Sequence, residues 1–337
     1  MKAITSMNAN MSVQDTNVLK GLAILLLLCH HLFYVQNGLF DDIHLYGDHY
    51  LVNELGKFSK LCVVLFVFLS GYGLTVQAER KGGISNIKEF YAHRQKKLLL
   101  NYWLIWLIFV PISYFCFDMT FEKAYQHNVE FHLVLDILGI HALFYSGKVL
   151  CYNPTWWFMS TVIVLYLLFP LMYKMMKKDS LMLILFTLIV SFLPIPFIDV
   201  IKFNIVAFSL GMWMVTVKSI PPRTRQGVWL VMLLLLLYAV ERNANRYPLI
   251  IDCVLALLIA ILYQYVNCPK WIKMVMAFLG KHSMNIFLFH TFIFFFWFHY
   301  FVYASRNPII IILTLLAICI PISLVLEWIK KYTINKL

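Results

Sequence analysis

Long apolar runs separated by short polar, often basic, segments organise this chain. Ten such runs can be drawn, at about residues 17–37, 58–77, 98–117, 155–173, 181–197, 201–217, 227–240, 248–266, 283–303 and 308–328. A helix crosses the hydrocarbon core of a bilayer with about 20 apolar residues. The pattern therefore predicts an all-α fold, a polytopic transmembrane helical bundle of about ten spans. The runs at 181–197 and 227–240 are short and need tilt or flanking residues to cross. Ten spans with short connections use nearly all 337 residues, which predicts a single integral-membrane domain over 1–337. The longest connection, 119–153, contains FHLVLDILGIHALF, which reads as an interfacial or re-entrant helix. No internal repeat or low-complexity tract interrupts this plan.

Composition agrees with the pattern. Hydrophobic residues make up 62% and charged residues 13%, where soluble domains run nearer half and a quarter. A net charge of +12 raises the question of nucleic acid, but the basic residues sit in small clusters between apolar runs, so no nucleic-acid partner is expected. With the N-terminus in the cytoplasm, 20 of the 28 basic residues fall inside and 11 of the 16 acidic ones outside. The positive-inside rule then places both termini in the cytoplasm. No small-residue cleavage site follows the first run, which is expected to be retained. The seven cysteines show neither CxxC nor CxxH spacing, so neither a metal site nor a disulfide framework is expected.

Chemistry starts with Lys20 and His31 in KGLAILLLLCHHLF. Eleven helical steps return to within about 20° of the starting direction, so the two share a face with about 16 Å of helix between them. An ionisable group inside a span is costly and marks a candidate functional site. A neutral imidazole there can take a proton from a hydroxyl, while Lys20 near the cytoplasmic end suits a phosphate. The bland reading is a topology lysine and a histidine bonded to a neighbouring helix. His30, about 100° round the helix, is the rival to His31. Arg94 and Lys97, with Lys96, form a second basic set at the start of the third run, either an anion grip or a topology signal. Ser70-Gly71 reads first as helix packing. Trp157, in the WWF that follows Asn153-Pro154, suits an interfacial belt, and His290 is a further intramembrane histidine. No Walker A, GxGxxG, HExxH or GxSxG pattern is present.

In order, these segments resemble the acyltransferase 3 family of bacterial integral-membrane O-acyltransferases. Lys20 and His31 match a basic residue and histidine with ten residues between them in the first span. LFVFLSGY matches the second-span phrase, and Arg94 and Lys97 match a basic pair before the third. Trp157, Phe158, Met159, Tyr166 and Pro170 match a later phrase, and Ser283, Ile286, Phe287, Leu288 and His290 the closing one. Both basic motifs use lysine at one position, and Val162 stands where many members carry glutamate. No periplasmic hydrolase-like domain of the kind fused to some relatives is expected after the last run. The resemblance implies a membrane O-acyltransferase of the bacterial cytoplasmic membrane. It would move acetyl from cytoplasmic acetyl-CoA to a hydroxyl of an envelope or extracellular polysaccharide, or of its lipid-linked precursor. It implies His31 as general base and Lys20, Arg94 and Lys97 as donor-binding residues, with His30, Ser70, Trp157 and His290 as supporting candidates. No permanently bound cofactor is expected. Partners would be acetyl-CoA, the glycan acceptor and membrane lipid, with self-association left open. The rival classes are a proton-coupled transporter or flippase using His31 and His290 as relays, and a non-catalytic scaffold.

Overall fold

A computed structural model describes residues 7–8, 11–34, 38–144, 151–193, 201–217, 219–220, 224–241 and 250–333. The ends of two expected spans, 35–37 and 194–197, and the start of a third, 248–249, lie outside the described residues. Every expected run contains a helix. In chain order these are α1 (Val13–Phe33), α2 (Leu51–Phe58), α3 (Leu61–Arg80), α4 (Ile87–Cys116), α5 (Phe121–Tyr125), α6 (Val129–Leu138) and α7 (Trp157–Lys178). They are followed by α8 (Ser180–Phe192), α9 (Lys202–Thr216), α10 (Thr224–Glu241), α11 (Ile250–Tyr265), α12 (Lys270–Thr291), α13 (His299–Tyr303) and α14 (Pro308–Thr333). Among the described residues, Val13–Phe33, Leu51–Arg80, Ile87–Cys116, Pro154–Lys178 and Pro308–Tyr332 are long and apolar enough to cross a membrane. Ser180–Phe192, Asn204–Thr216, Gln226–Leu236 and Ile250–Tyr265 are shorter apolar helices. The protein is an all-α membrane protein.

Local signals explain the ends. Ser12 and Asp15 form a reciprocal capping box that starts α1. Asn86 caps α4 by accepting from the backbone N–H groups of Lys88 and Glu89. That cap starts α4 eleven residues before the expected span, so Arg94 and Lys97 lie two to three turns inside a helix rather than at its N-terminus. Helix α12 likewise begins at Lys270, directly after Pro269, although residues 270–282 were expected in a connection. In the long connection, α6 stops at Gly139, whose φ of 69° is a left-handed conformation that glycine adopts without strain.

Two close helix pairs form the centre of the bundle. A Cβ placed on Gly21 of α1 would sit 2.1 Å from the Met276 carbonyl oxygen, and one on Gly280 of α12 would sit 1.8 Å from that of Asn17. Any side chain at either position would hold these backbones apart. In the same way, Gly71 of α3 meets the Phe208 carbonyl at 2.2 Å and Gly211 of α9 meets that of Phe68 at 2.1 Å. Helices α1 and α12 run parallel, and their C-terminal sides are laced together. The Tyr303 phenol donates to the Leu32 carbonyl at 2.9 Å, and the Asp41 N–H donates to the Arg306 carbonyl at 2.8 Å.

The glycines yield a paired prediction. Gly71→Ala and Gly280→Ala each lower the thermal midpoint in detergent by several degrees, the overpacking cost being about 1–3 kcal/mol. Gly73→Ala, only two residues from Gly71 but with nothing within 4 Å of its Cβ position, leaves the midpoint unchanged or raises it. Equal melting curves for all three would show that the helices do not meet at these glycines.

Candidate active site

Helix α1 runs unbroken through Lys20 and His31, so the eleven-residue spacing holds and one face carries both. His31 lies in the last turn of α1. Its Nδ1 is 2.7 Å from Nε2 of His290, at the end of α12, and the two rings stack with centroids 5.0 Å apart and planes 8° apart. Nδ1 of His290 lies 2.9 Å from the Ile286 carbonyl oxygen and 3.0 Å from that of Phe287. His290 is fully buried, whereas His31 is half-buried and its Nε2 makes no hydrogen bond to any described residue. His30 is occupied elsewhere: its Nδ1 is 2.8 Å from the Gly56 carbonyl oxygen, where it can only donate, and its ring stacks on Tyr34. The two adjacent histidines thus divide by partner, His30 tying α1 to the backbone of α2 and His31 meeting His290 of α12, while neither Nε2 bonds a described residue.

A brace behind the pair was not visible in the sequence. The Trp156 indole N–H donates to the Leu288 carbonyl at 2.8 Å, and the Asn153 amide donates to the same oxygen at 3.3 Å. Leu288 precedes His290 by two residues, and the turns after it widen into a π-helix over Phe292–Trp297. Such widening is frequent at functional sites. Trp157, the neighbour of Trp156, makes no described hydrogen bond to the histidine pair, and its ring contacts Phe158. The segment carrying Asn153 and Trp156 is anchored on Asp136 of α6. One oxygen of that carboxyl accepts from the Tyr152 N–H at 2.6 Å and from the Tyr125 phenol at 2.8 Å. Asp136 lies in the connection between spans and is almost fully buried; burial pushes its carboxyl up to about 7, against the lowering effect of those two donors.

Cations gather toward the other end of α1. Lys97 of α4 is close enough to Lys20 for their charges to repel, and Lys330 of α14 is close enough to Lys97 to do the same. Arg94 instead lies beside the Tyr166 phenol, which is also in hydrogen-bonding reach of the Ser70 side chain. The Ser70 hydroxyl donates to the Phe66 carbonyl of its own helix at 2.9 Å. No described carboxylate bonds Lys20, Arg94 or Lys97. Lys330 is the exception, held by Glu327 and by the Asn285 side-chain oxygen at 2.9 Å. Asn285 also donates to Ser323 and Glu327, which seals the seam between α12 and α14. Lys330 was not among the residues picked out from sequence, because a lysine in a polar tail reads as a topology signal. The described residues contain no group of three or more metal-ligating side chains.

Among the described residues, the arrangement combines three cations that bond no carboxylate, Lys20, Lys97 and Arg94, and a histidine whose Nε2 is unbonded about 16 Å from Lys20 along the same helix. Such a helix can hold an anionic donor at one end and move a proton at the other. The class is a membrane acyltransferase: a family profile for an acyltransferase domain matches residues 13–328. The chain belongs to the acyltransferase 3 family, as its motifs suggested. Comparison with curated proteins and with solved structures gave no match.

The Asp136 anchor makes stability depend on pH. An unfolded aspartate titrates near 4 and the folded one at about 7, so the folded state holds the extra proton between those values. The contribution of this group is full below about pH 4 and is lost as the pH rises through about 7. Asp136→Asn, which cannot ionise, flattens the fall in melting temperature between pH 5 and pH 8. A variant that keeps the wild-type slope would remove Asp136 as its source.

Proposed function

We propose that this protein is an O-acetyltransferase of the bacterial cytoplasmic membrane, crossing it ten times with both termini in the cytoplasm. It would transfer acetyl from cytoplasmic acetyl-CoA to a hydroxyl of an envelope or extracellular polysaccharide or its lipid-linked precursor. The observation that carries this reading is one helix bearing an uncompensated cation, Lys20, and an open histidine nitrogen on His31. Coenzyme A is polyanionic at its nucleotide end and neutral along its arm, which suits a basic mouth and an apolar path. Lys20, Lys97 and Arg94 bind the phosphates, and the arm extends along α1 toward His31.

His31 Nε2 takes the proton of the acceptor hydroxyl as its oxygen attacks the thioester carbonyl. A carbon–oxygen bond forms, the carbon–sulfur bond breaks, and the proton on His31 passes to the departing sulfur. The products are the O-acetyl ester and free coenzyme A, and His31 returns to its starting state. Family membership supports acyl transfer; the acetyl group and the glycan acceptor rest on the basic mouth and on the resemblance to envelope acyltransferases.

His31→Ala lowers transfer of radiolabelled acetyl from acetyl-CoA by about 100-fold or more at matched expression, the range of a general base. His30→Ala keeps transfer within a few-fold and instead loses about 1 kcal/mol of stability with its bond to Gly56. A fully active His31→Ala would end the assignment. Calorimetry with acetyl-CoA and the purified protein tests the donor: Arg94→Ala weakens binding about ten-fold, or about 1.4 kcal/mol. Wild-type protein that binds no acetyl-CoA would exclude this donor and favour a carrier.

A further inference from the structure

His290 lies on a different helix from the proposed base and is bonded to it. Which protons the pair carries follows from what lies behind His290. The carbonyl oxygens of Ile286 and Phe287 have no hydrogen to give, so His290 Nδ1 must carry one and donate to them at 2.9 and 3.0 Å. In a neutral imidazole the other nitrogen is then a bare acceptor. His290 Nε2 faces His31 Nδ1 at 2.7 Å, so His31 Nδ1 carries the hydrogen of that bond. A neutral His31 is left with its lone pair on Nε2, the nitrogen that bonds no described residue. Backbone carbonyls, which cannot change protonation state, thereby select the tautomer of a histidine on another helix.

Resting on the transferase reading above, we infer that His290 is a positioning residue that holds His31 as its Nδ1–H tautomer and aims the Nε2 lone pair at the acceptor hydroxyl. When His31 takes the acceptor proton it becomes an imidazolium whose Nδ1–H still points at a neutral acceptor. The added charge is met by His290 and, through it, by the Ile286 and Phe287 carbonyls. The support that a carboxylate gives to a catalytic histidine elsewhere is here supplied by a second histidine backed by two carbonyls. The Trp156 and Asn153 bonds to Leu288 keep that end of α12 in place.

Two substitutions separate this role from mere packing. Counting bonds from Cβ, the side-chain oxygen of glutamine falls where histidine has Nε2, and that of asparagine falls where histidine has Nδ1. His290→Gln therefore keeps an acceptor facing His31 and retains kcat within about ten-fold, whereas His290→Asn lowers it by about 100-fold. KM for acetyl-CoA is unchanged in both, because the donor site lies along α1. Glutamine and asparagine variants that fold alike and fall alike in kcat, or an asparagine variant with wild-type kcat, would overturn the inference. Solid-state nitrogen NMR of histidine-labelled protein, with His31→Gln used to assign the signals, reads the tautomer without any acyl transfer. The expected spectrum has His31 Nε2 unprotonated in the wild type and a tautomer mixture in His290→Asn; a protonated Nε2 in the wild type would overturn it. If that spectrum is found but the wild-type protein transfers no acyl group, the transferase reading fails and the positioning of His31 stands.

Discussion

Close approach of α1 and α12 is the constraint on which the rest depends. It exists because Gly21 and Gly280 present no side chain where the facing carbonyls of Met276 and Asn17 lie. In a bilayer the lipid is as apolar as leucine, so two helices gain by touching chiefly through close packing and polar bonds. The glycines provide the first near the middle of the two helices. His31 with His290, and Tyr303 with the Leu32 carbonyl, provide the second at their C-terminal sides. A pair of histidines at hydrogen-bonding distance on separate helices requires backbones that cannot drift, and this packing holds them.

Polar groups inside the bundle fall into two sets. One set is bonded across helices: His30 on Gly56, Asn285 across to α14, and Trp156 and Asn153 on Leu288. These bonds are what a membrane interior demands, since an unpaired polar group there costs several kcal/mol. The other set has groups left over among the described residues, and it includes the cations Lys20, Lys97 and Arg94 and the Nε2 of His31. Groups of the second kind are expensive for folding and useful for chemistry. Their separation along α1 is the physical basis for placing an anionic donor at one end and proton transfer at the other.

Much of the fold was legible, because apolar run length reports helices directly and every expected run contains one. Helix starts were less so. The first three turns of α4 and of α12 are polar or basic, so hydropathy assigned them to connections, although Asn86 and Pro269 mark where those helices begin. Lys20, His31, Arg94 and Lys97 could be picked out by spacing. Their partners could not, because a helical period says which residues share a face but not which neighbour that face meets. His290 therefore stood as an isolated histidine and Lys330 as a tail lysine. Asp136 lay in a connection, and Trp156 stood only as part of an aromatic run. All four are long-range contacts, which a single sequence carries only implicitly.

Central to the account is that His31 and His290 work as one unit in acyl transfer. A double-mutant cycle tests this most directly: acetyl-transfer kcat for the wild type, His31→Ala, His290→Ala and the double variant, each confirmed as folded. Residues that act as a unit lose their function once, so the double variant should be no slower than His31→Ala alone. If the two losses multiply instead, His290 acts apart from His31, and the account of the site is wrong.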